Sequence, residues 1–308
     1  MKILYLTTQN PRSQGDFQEN IILHGLRSIF GSQVVDLPRK RVMYGDFSET
    51  TRDEIHGRGF TLYTKPLLDL DMLDRQVTSD SIDAVIYGVT DAYGITDYED
   101  INKLCSNIWY VDGHDTPDIK KKPCFKREYF VKEEGVYPTG FGIPYHQIRP
   151  IDLNKKDQVY QKTAPAETFF KPEVMQHLRE HYVYSWREEE EYYADMQRSW
   201  FGLTCKKGGW DSLRHYEIMA SGALLLFKEY DQKPNLCAPQ ELPCFSYSSV
   251  EELEMLTSRL VVNGKPTSEY INMILAQRDW LLKYGTTEAR GLQVLKVLMS
   301  HSPTGNIT

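Results

Sequence analysis

Several features that mark common protein classes are missing from this sequence. No apolar run approaches the length of a membrane span, and the apolar run in MKILYLTTQNPR is too short for a signal peptide. The five cysteines form no C-x-x-C pair, which argues against a zinc site and fits reduced thiols. We therefore expect a cytoplasmic chain without a transmembrane segment, although peripheral contact with a membrane stays open.

An excess of positive charge is also missing. The chain carries 36 lysine and arginine residues against 43 aspartate and glutamate residues, a formal net charge of −7. Proteins that hold nucleic acid without regard to its sequence need a basic surface. The charge therefore disfavours a nucleic-acid partner, although a local basic groove stays open.

The glycine-rich fingerprint of dinucleotide-binding enzymes is absent as well. The segment after the first apolar run reads TTQNPRSQGD and contains no G-x-G-x-x-G pattern, and no later strand end supplies one. This disfavours an oxidoreductase that binds a nicotinamide dinucleotide. We expect no bound cofactor.

What the sequence does contain is an alternation of strand-like and helix-like segments. A buried strand at 2–8 precedes a helix at 16–30, and a second cycle begins after the proline-bounded stretch 142–156. Such alternation predicts parallel sheets with helices on both faces, and a chain of 308 residues divides naturally into two domains. We predict an α/β protein of two Rossmann-like, doubly wound domains that face each other across a cleft.

The domain boundaries follow from the same pattern. We predict an N-terminal domain at 1–150, a C-terminal domain at 151–284, and a final helix and tail at 285–308 that could pack back on the N-terminal domain. Within the second domain, Ser185 and Glu188 have the S-x-x-E spacing of a capping box before an acidic helix.

The segment KKGGWDSLRHYEIMASGALLLF, residues 206–227, is the most informative in the chain. It reads as a loop, a helix from about Asp211 to Ser221, a glycine that ends the helix, and a strand. A helix N-terminus binds anions such as a diphosphate. Gly208 and Gly209 would allow close backbone approach, and positive charge would come from the two lysines that precede them, Lys206 and Lys207. A solvated turn with two surface lysines explains the loop alone equally well.

The helix of this segment carries a charged pair. Leu213, Tyr216 and Ala220 share one apolar face, whereas Arg214 and Glu217 lie three residues apart on another face. A surface salt bridge accounts for that spacing. It does not account for the position of the pair directly after a loop suited to an anion.

The run SWFGLTCKKGGWDSLRHYEIMASGALLLF resembles the donor-binding segment of GT-B glycosyltransferases, particularly the CgeB-like and exostosin-like groups. Those groups carry a G-x-D-x-x-R-x-(Y/F)-E-x-x-A-x-G pattern before a short apolar strand. The close match covers about 30 residues, and looser similarity extends over 124–302. The resemblance implies a GT-B fold whose C-terminal domain holds most of a nucleotide-sugar donor.

The resemblance also implies roles for particular residues. Glu217 would accept hydrogen bonds from the donor ribose, and the diphosphate would be neutralised by Arg214 together with Lys206 or Lys207. The sequence departs from the related E-x7-E pattern, since Gly209 stands where a sugar-contacting acid is expected. Asp211 is the nearest replacement.

The first domain offers candidates for the chemistry. In YVDGHDTPD, a predicted strand is followed by Asp112, His114 and Asp115, which would face the cleft and could remove a proton from an acceptor hydroxyl. D-G-H-D is also favourable turn chemistry. Lys126 and Arg127 could reach the donor phosphates from across the cleft, or could simply be exposed basic residues.

No metal site is expected. The only D-x-D pattern is Asp69-Leu-Asp71, whose apolar neighbours read as helix or loop, and the helix N-terminus with basic residues can neutralise a diphosphate instead. A glycan or glycolipid is the acceptor that the resemblance implies, and the acceptor-side segments at 39–66 and 90–100 carry no readable motif. Protein and modified DNA stay open as acceptors, the latter disfavoured by the net charge. A sugar- or nucleotide-binding protein that keeps the fold without the chemistry is the alternative.

Overall fold

The computed structural model describes residues 1–7, 17–44, 55, 59–63, 67, 82–89, 105–163 and 186–301. Within these residues the chain forms two separate, fully parallel sheets, one of six strands and one of four. The predicted α/β class with parallel sheets is confirmed. No helix among the described residues is long and apolar enough to cross a membrane.

The first sheet comes from the N-terminal half of the chain. Its strands are β1 (Ile3–Leu6), β2 (Val34–Leu37), β3 (Ala84–Tyr87), β4 (Ile108–Asp112), β5 (Cys124–Lys126) and β6 (Val136–Pro138). Their spatial order is β2-β1-β3-β4-β5-β6, so the order reverses between β1 and β3. Both of those strands are buried along their whole length, as apolar runs in a covered parallel sheet should be.

The second sheet follows in the C-terminal half. Its strands are β7 (Gln158–Tyr160), β8 (Ser199–Cys205), β9 (Leu224–Lys228) and β10 (Phe245–Tyr247), in the spatial order β10-β9-β8-β7. A small hairpin, β11 (Val261–Val262) with β12 (Lys265–Pro266), lies outside it.

Six described helices accompany the two sheets. They are α1 (Phe17–Phe30), α2 (Glu189–Arg198), α3 (Leu213–Ala220), α4 (Val250–Leu260), α5 (Ser268–Tyr284) and α6 (Thr287–His301). After α3 the chain turns into β9 through Gly222, whose φ of 77° is the left-handed conformation predicted for a glycine that ends a helix.

One predicted helix start is wrong. Helix α2 begins at Glu189 and its N-cap is Glu188, so Glu188 is not the third helical residue that a capping box requires. Ser185 lies outside the described residues. The acidic first turn of α2 still complements the positive end of the helix dipole.

The last helix packs directly on the first one. Gly25 of α1 and Gly291 of α6 face each other so closely that a Cβ atom on either would overlap with the backbone of the other helix. Beside this crossing, the Nδ1 atom of His24 lies 2.9 Å from the hydroxyl oxygen of Thr287. The chain thus returns to its N-terminal half after completing the second sheet.

Two buried histidines should make the protein sensitive to acid. Burial lowers the pKa of His24 and of His215 from 6.5 to about 4, so both rings are neutral in the folded chain. Below pH 6.5 the unfolded chain binds protons that the folded chain does not, so stability falls as the pH falls. We expect a loss of about 3 kcal/mol from each histidine on going down to about pH 4.

Urea unfolding measured at a series of pH values checks this expectation. The slope of stability against pH should become shallower in His24→Gln and in His215→Gln, because each variant removes one titrating ring. Equal unfolding free energies at neutral pH and at about pH 4 would contradict the expectation.

Candidate functional site

The loop between β8 and α3 lies against the first half of the chain. A Cβ atom on Gly208 would overlap with the carboxylate of Asp115, and one on Gly209 would overlap with the carboxylate of Glu128. The N–H of Lys207 donates to the carbonyl of Gly209 at 2.9 Å, which closes the loop on itself. At Gly209 the neighbouring Glu128 is buried, so a larger residue would force it to move, whereas at Gly208 the neighbouring Asp115 is half-exposed and could shift aside.

Glu128 occupies the position next to the start of α3. One of its carboxylate oxygens, Oε1, accepts from the backbone N–H of Asp211 at 3.1 Å and from Arg127 at 3.2 Å. The other oxygen accepts from the thiol of Cys237 at 2.9 Å, and the side chain of Glu128 is fully buried. In this arrangement the N–H of Asp211 is not available to a diphosphate.

Arg127 joins the two halves of the molecule. Its guanidinium donates to the carbonyl of Asp211 at 2.7 Å, to the carbonyl of Gly113 at 2.9 Å and to the carboxylate of Asp115, and it stacks over the ring of Phe141 at 4.4 Å. Burial alone would lower its pKa, but the acids around it outweigh burial and raise the pKa. Arg127 therefore holds the two halves of the chain together, and its guanidinium is already occupied by protein groups instead of donor phosphates.

Asp211 has a similar role. Its two carboxylate oxygens accept from the backbone N–H of Phe141 at 2.6 Å and from the hydroxyl of Tyr216 at 3.0 Å, and the side chain is buried. A residue that replaced the missing sugar-contacting acid would need a carboxylate open to a ligand. The carboxylate of Asp211 is buried and bonded to protein groups, so it does not fit that role in this structure.

Asp112 and Lys126 form a buried ion pair at the carboxyl ends of β4 and β5. They are register partners, their charged groups lie 3.0 Å apart, and both side chains have an exposed fraction of 0%. Asp112 also accepts from the backbone N–H of His114 at 3.2 Å, which is the local turn bond that D-G-H favours. Neither member of the pair can touch a substrate without leaving the other.

His114 and Asp115 lie closer to the surface than this pair. His114 is partly buried, and Asp115, whose side chain is 52% exposed, lies between Arg127 and Gly208. The structure places the end of β4 beside the loop between β8 and α3, since Asp115 lies against Gly208. Of the three predicted catalytic residues, Asp115 is the exposed one, whereas the Nε2 atom of His114 is buried.

Glu217 lies at the centre of a polar cluster on α3. Its Oε1 atom accepts from the hydroxyl of Thr61 at 2.6 Å, and its Oε2 atom accepts from the hydroxyl of Tyr192 and from Nε of Arg214 at 3.3 Å. The hydroxyl of Tyr193 lies 2.8 Å from that of Thr61. The predicted charged pair is present, but it belongs to a larger buried cluster than the sequence indicated.

Positive charge gathers beside this cluster. Burial, followed by the charge of Arg214, lowers the pKa of Lys207, whereas Glu217 and Asp115 oppose that shift. Lys207 is therefore close enough to all three side chains to interact with their charges. Lys206 is exposed, and its ammonium group lies 5.1 Å from the centre of the Trp210 ring. Two neighbouring cations at a partly open position can bind an anion such as a diphosphate.

Sequence reasoning missed three participants in this arrangement. Thr61 lies in a stretch with no readable motif, and Tyr192 was assigned only to an amphipathic helix. Glu128 was not considered, although the preceding residues Lys126 and Arg127 were predicted to reach the donor phosphates. The described residues contain no group of three or more His, Cys, Asp or Glu side chains that could hold a metal ion, and the Asp69-Leu-Asp71 pattern lies outside them.

Comparison with known proteins supports the fold. The sequence matches no known protein family and no curated protein. Its structure is similar to a glycosyltransferase from Rickettsia africae, with 9% identity, 99% of each chain covered and a TM-score of 0.52. It is also similar to HepE of Anabaena in complex with UDP-glucose, with 10% identity, 97% of this chain and 100% of the other covered, and a TM-score of 0.52.

A third similar structure is AviGT4, a glycosyltransferase involved in avilamycin A biosynthesis, with 10% identity, 99% of each chain covered and a TM-score of 0.53. All three matches extend over nearly the whole length of both chains. At this level of identity the similarity shows the fold, which is that of GT-B glycosyltransferases, and the chemistry has to be argued from the site.

Proposed function

We propose that the protein is a glycosyltransferase that moves a sugar from a nucleoside-diphosphate sugar to an acceptor hydroxyl. The observation that carries the proposal is the cluster of Glu217, Arg214 and Lys207, which joins a carboxylate to two cations in a chain with the fold of glycosyltransferases. One of the similar structures holds UDP-glucose, which supports a nucleotide sugar as the donor.

The residues divide the reaction between the two halves. Lys207 and Arg214 would neutralise the diphosphate as the bond between its oxygen and the anomeric carbon breaks, and Lys206 would add charge from the rim. Glu217 would hold the ribose. A new bond forms between the acceptor oxygen and the anomeric carbon, and the proton of the acceptor hydroxyl would pass to His114 or Asp115.

The other predicted site residues have structural roles next to the proposed donor site. Gly208 and Gly209 let the loop lie against two carboxylates, and Arg127 and Asp211 hold the loop to the first half. The buried pair of Asp112 and Lys126 fixes the end of the first sheet. Because Lys207 and Arg214 would supply positive charge at the proposed diphosphate position, we propose that the transfer of a hexose-type sugar needs no metal ion.

Further parts of the proposal rest on the sequence pattern. We propose a relation to the CgeB-like and exostosin-like groups, a donor domain at 151–284 with the acceptor side at 1–150, and a glycan or glycolipid acceptor. The five free thiols support a cytoplasmic location.

A thermal-shift screen against UDP, GDP, CDP, dTDP and NAD tests the proposal. We expect one nucleoside diphosphate to raise the melting temperature of the wild type, and we expect Glu217→Ala to abolish that shift. A matched control is Glu269→Ala, which removes an exposed carboxylate from α5. A shift with NAD alone would favour an oxidoreductase, and the absence of any shift with a diphosphate would contradict the donor site.

The alternative is a protein that binds nucleotide or sugar without catalysis. It is favoured by Gly209 at the position of the expected sugar-contacting acid and by the protein groups that already surround the Glu217 carboxylate. Release of nucleoside diphosphate from the matching nucleotide sugar separates the two functions, since binding without any release is the result that the alternative predicts.

A further inference from the structure

The carboxylate of Glu217 is nearly saturated by the protein itself. Two oxygens offer about four acceptor positions. Among the described residues, Tyr192 and Arg214 donate to Oε2 and Thr61 donates to Oε1, so that these contacts leave one open position on Oε1. The side chain of Glu217 is only 8% exposed, so a ligand can approach it from a narrow range of directions.

The donor from Thr61 is held in place by its surroundings. Its N–H donates to Oε1 of Glu189 at 2.5 Å, and its carbonyl accepts from Nε2 of Gln147 at 3.4 Å. Thr61 has a φ of 75°, a conformation that a β-branched residue rarely adopts, and it is fully buried. Such a conformation costs about 1–3 kcal/mol and persists only where neighbouring contacts enforce it.

The direction of the hydrogen bonds follows from the proton count. The Thr61 hydroxyl has one proton, which it donates to Glu217, so the neighbouring hydroxyl of Tyr193 donates to Thr61. Burial, opposed by Arg214 and reinforced by Glu217, raises the pKa of Tyr192, so that hydroxyl also keeps its proton and donates. The hydroxyls of Tyr192 and Thr61 therefore donate to acceptor positions of Glu217 that the two hydroxyls of a ribose could otherwise use, and Tyr193 fixes the direction of the Thr61 bond.

We propose that Glu217 accepts a hydrogen bond from only one ribose hydroxyl, so that the donor site takes 2′-deoxyribonucleoside diphosphate sugars as readily as their ribose counterparts. This inference rests on the proposed function, because it assumes that Glu217 contacts the donor ribose. A carboxylate with both oxygens open would bind the two adjacent hydroxyls of ribose and would discriminate against the deoxy sugar.

Isothermal titration calorimetry with matched pairs of nucleotides tests the inference. The pairs are UDP with dUDP, GDP with dGDP and CDP with dCDP. For the base that the wild type binds, we expect the deoxy form to bind less than about fivefold more weakly than the ribose form. A larger penalty would overturn the inference, because it would mean that both ribose hydroxyls find acceptors.

Three variants connect the result to Glu217. Thr61→Val keeps the branched shape and removes the hydroxyl, which opens a second position on Oε1, and Tyr192→Phe opens one on Oε2. In each we expect the preference for ribose to rise about tenfold or more, since hydrogen bonds to charged groups are among the strongest in proteins. Thr61→Ser keeps the hydroxyl and should leave the preference unchanged.

These outcomes also separate the inference from the proposed function. If no nucleoside diphosphate binds in a manner that depends on Glu217, the donor site and the inference fail together. If a diphosphate binds with a ribose preference above fivefold in the wild type, the donor site stands and the inference fails. If Thr61→Val and Tyr192→Phe both leave the preference unchanged, the count of open positions on Glu217 is wrong.

Discussion

Replacement of Lys126 by methionine should lower the free energy of unfolding by about 3–5 kcal/mol. The variant leaves the carboxylate of Asp112 fully buried without its partner, and in the wild type none of the described residues donates a hydrogen bond to Oδ2 of that carboxylate. Desolvating an unpaired charge is among the most costly changes that a folded protein can undergo. Urea unfolding of the variant and the wild type measures the loss.

The double variant Asp112→Leu with Lys126→Met shows whether the pair is structural. Replacing both charges by apolar groups should recover most of the lost stability, and it should leave binding of the nucleoside diphosphate intact. Arg198→Ala is the matched control, because it breaks an exposed ion pair with Asp157 and should leave the free energy of unfolding almost unchanged. If the double variant folds but no longer binds the diphosphate, Asp112 and Lys126 contribute to the functional site.

Replacement of Arg214 by alanine should reduce the release of nucleoside diphosphate from the donor about 100- to 1000-fold. Arg214 has a side chain only 20% exposed and donates to Glu217, so the variant removes positive charge from the proposed diphosphate position and one hydrogen-bond donor from the Glu217 carboxylate. Arg214→Lys should recover only part of the rate, because an ammonium cannot reproduce the planar fork of a guanidinium.

Arg259→Ala provides the control for this experiment. Arg259 lies on α4 with an exposed fraction of 58% and pairs with Glu269 on the surface. Its removal should leave the rate of diphosphate release unchanged. A similar loss of rate in both arginine variants would show that the effect comes from overall charge and not from the position of Arg214.

Local patterns were sufficient to predict the elements that form the site. The apolar run at 199–204 became β8, the periodicity after Asp211 became α3, and the glycine at 222 adopted the predicted left-handed conformation. Each of these outcomes depends on residues within a few positions of one another. The i,i+3 spacing of Arg214 and Glu217 likewise predicted their contact.

The surroundings of the site could not be predicted in the same way. Thr61 meets Glu217 across 156 positions of sequence, and Glu128 meets the N–H of Asp211 across 83. No periodicity links residues so far apart, so the loop appeared to be an open anion site when in fact carboxylates lie against it. From the sequence, Lys126 was a candidate to bind the donor phosphates. Its register with Asp112, which the sequence alone does not reveal, places it in a buried ion pair instead.

A crystal structure of the complex with the nucleoside diphosphate identified by the thermal-shift screen would show directly where the donor binds. We expect the phosphates to contact Lys207 and Arg214 and one ribose hydroxyl to contact Oε1 of Glu217, with Glu128 still bound to the N–H of Asp211. A diphosphate bound in place of the Glu128 carboxylate, or at a position remote from α3, would contradict this expectation.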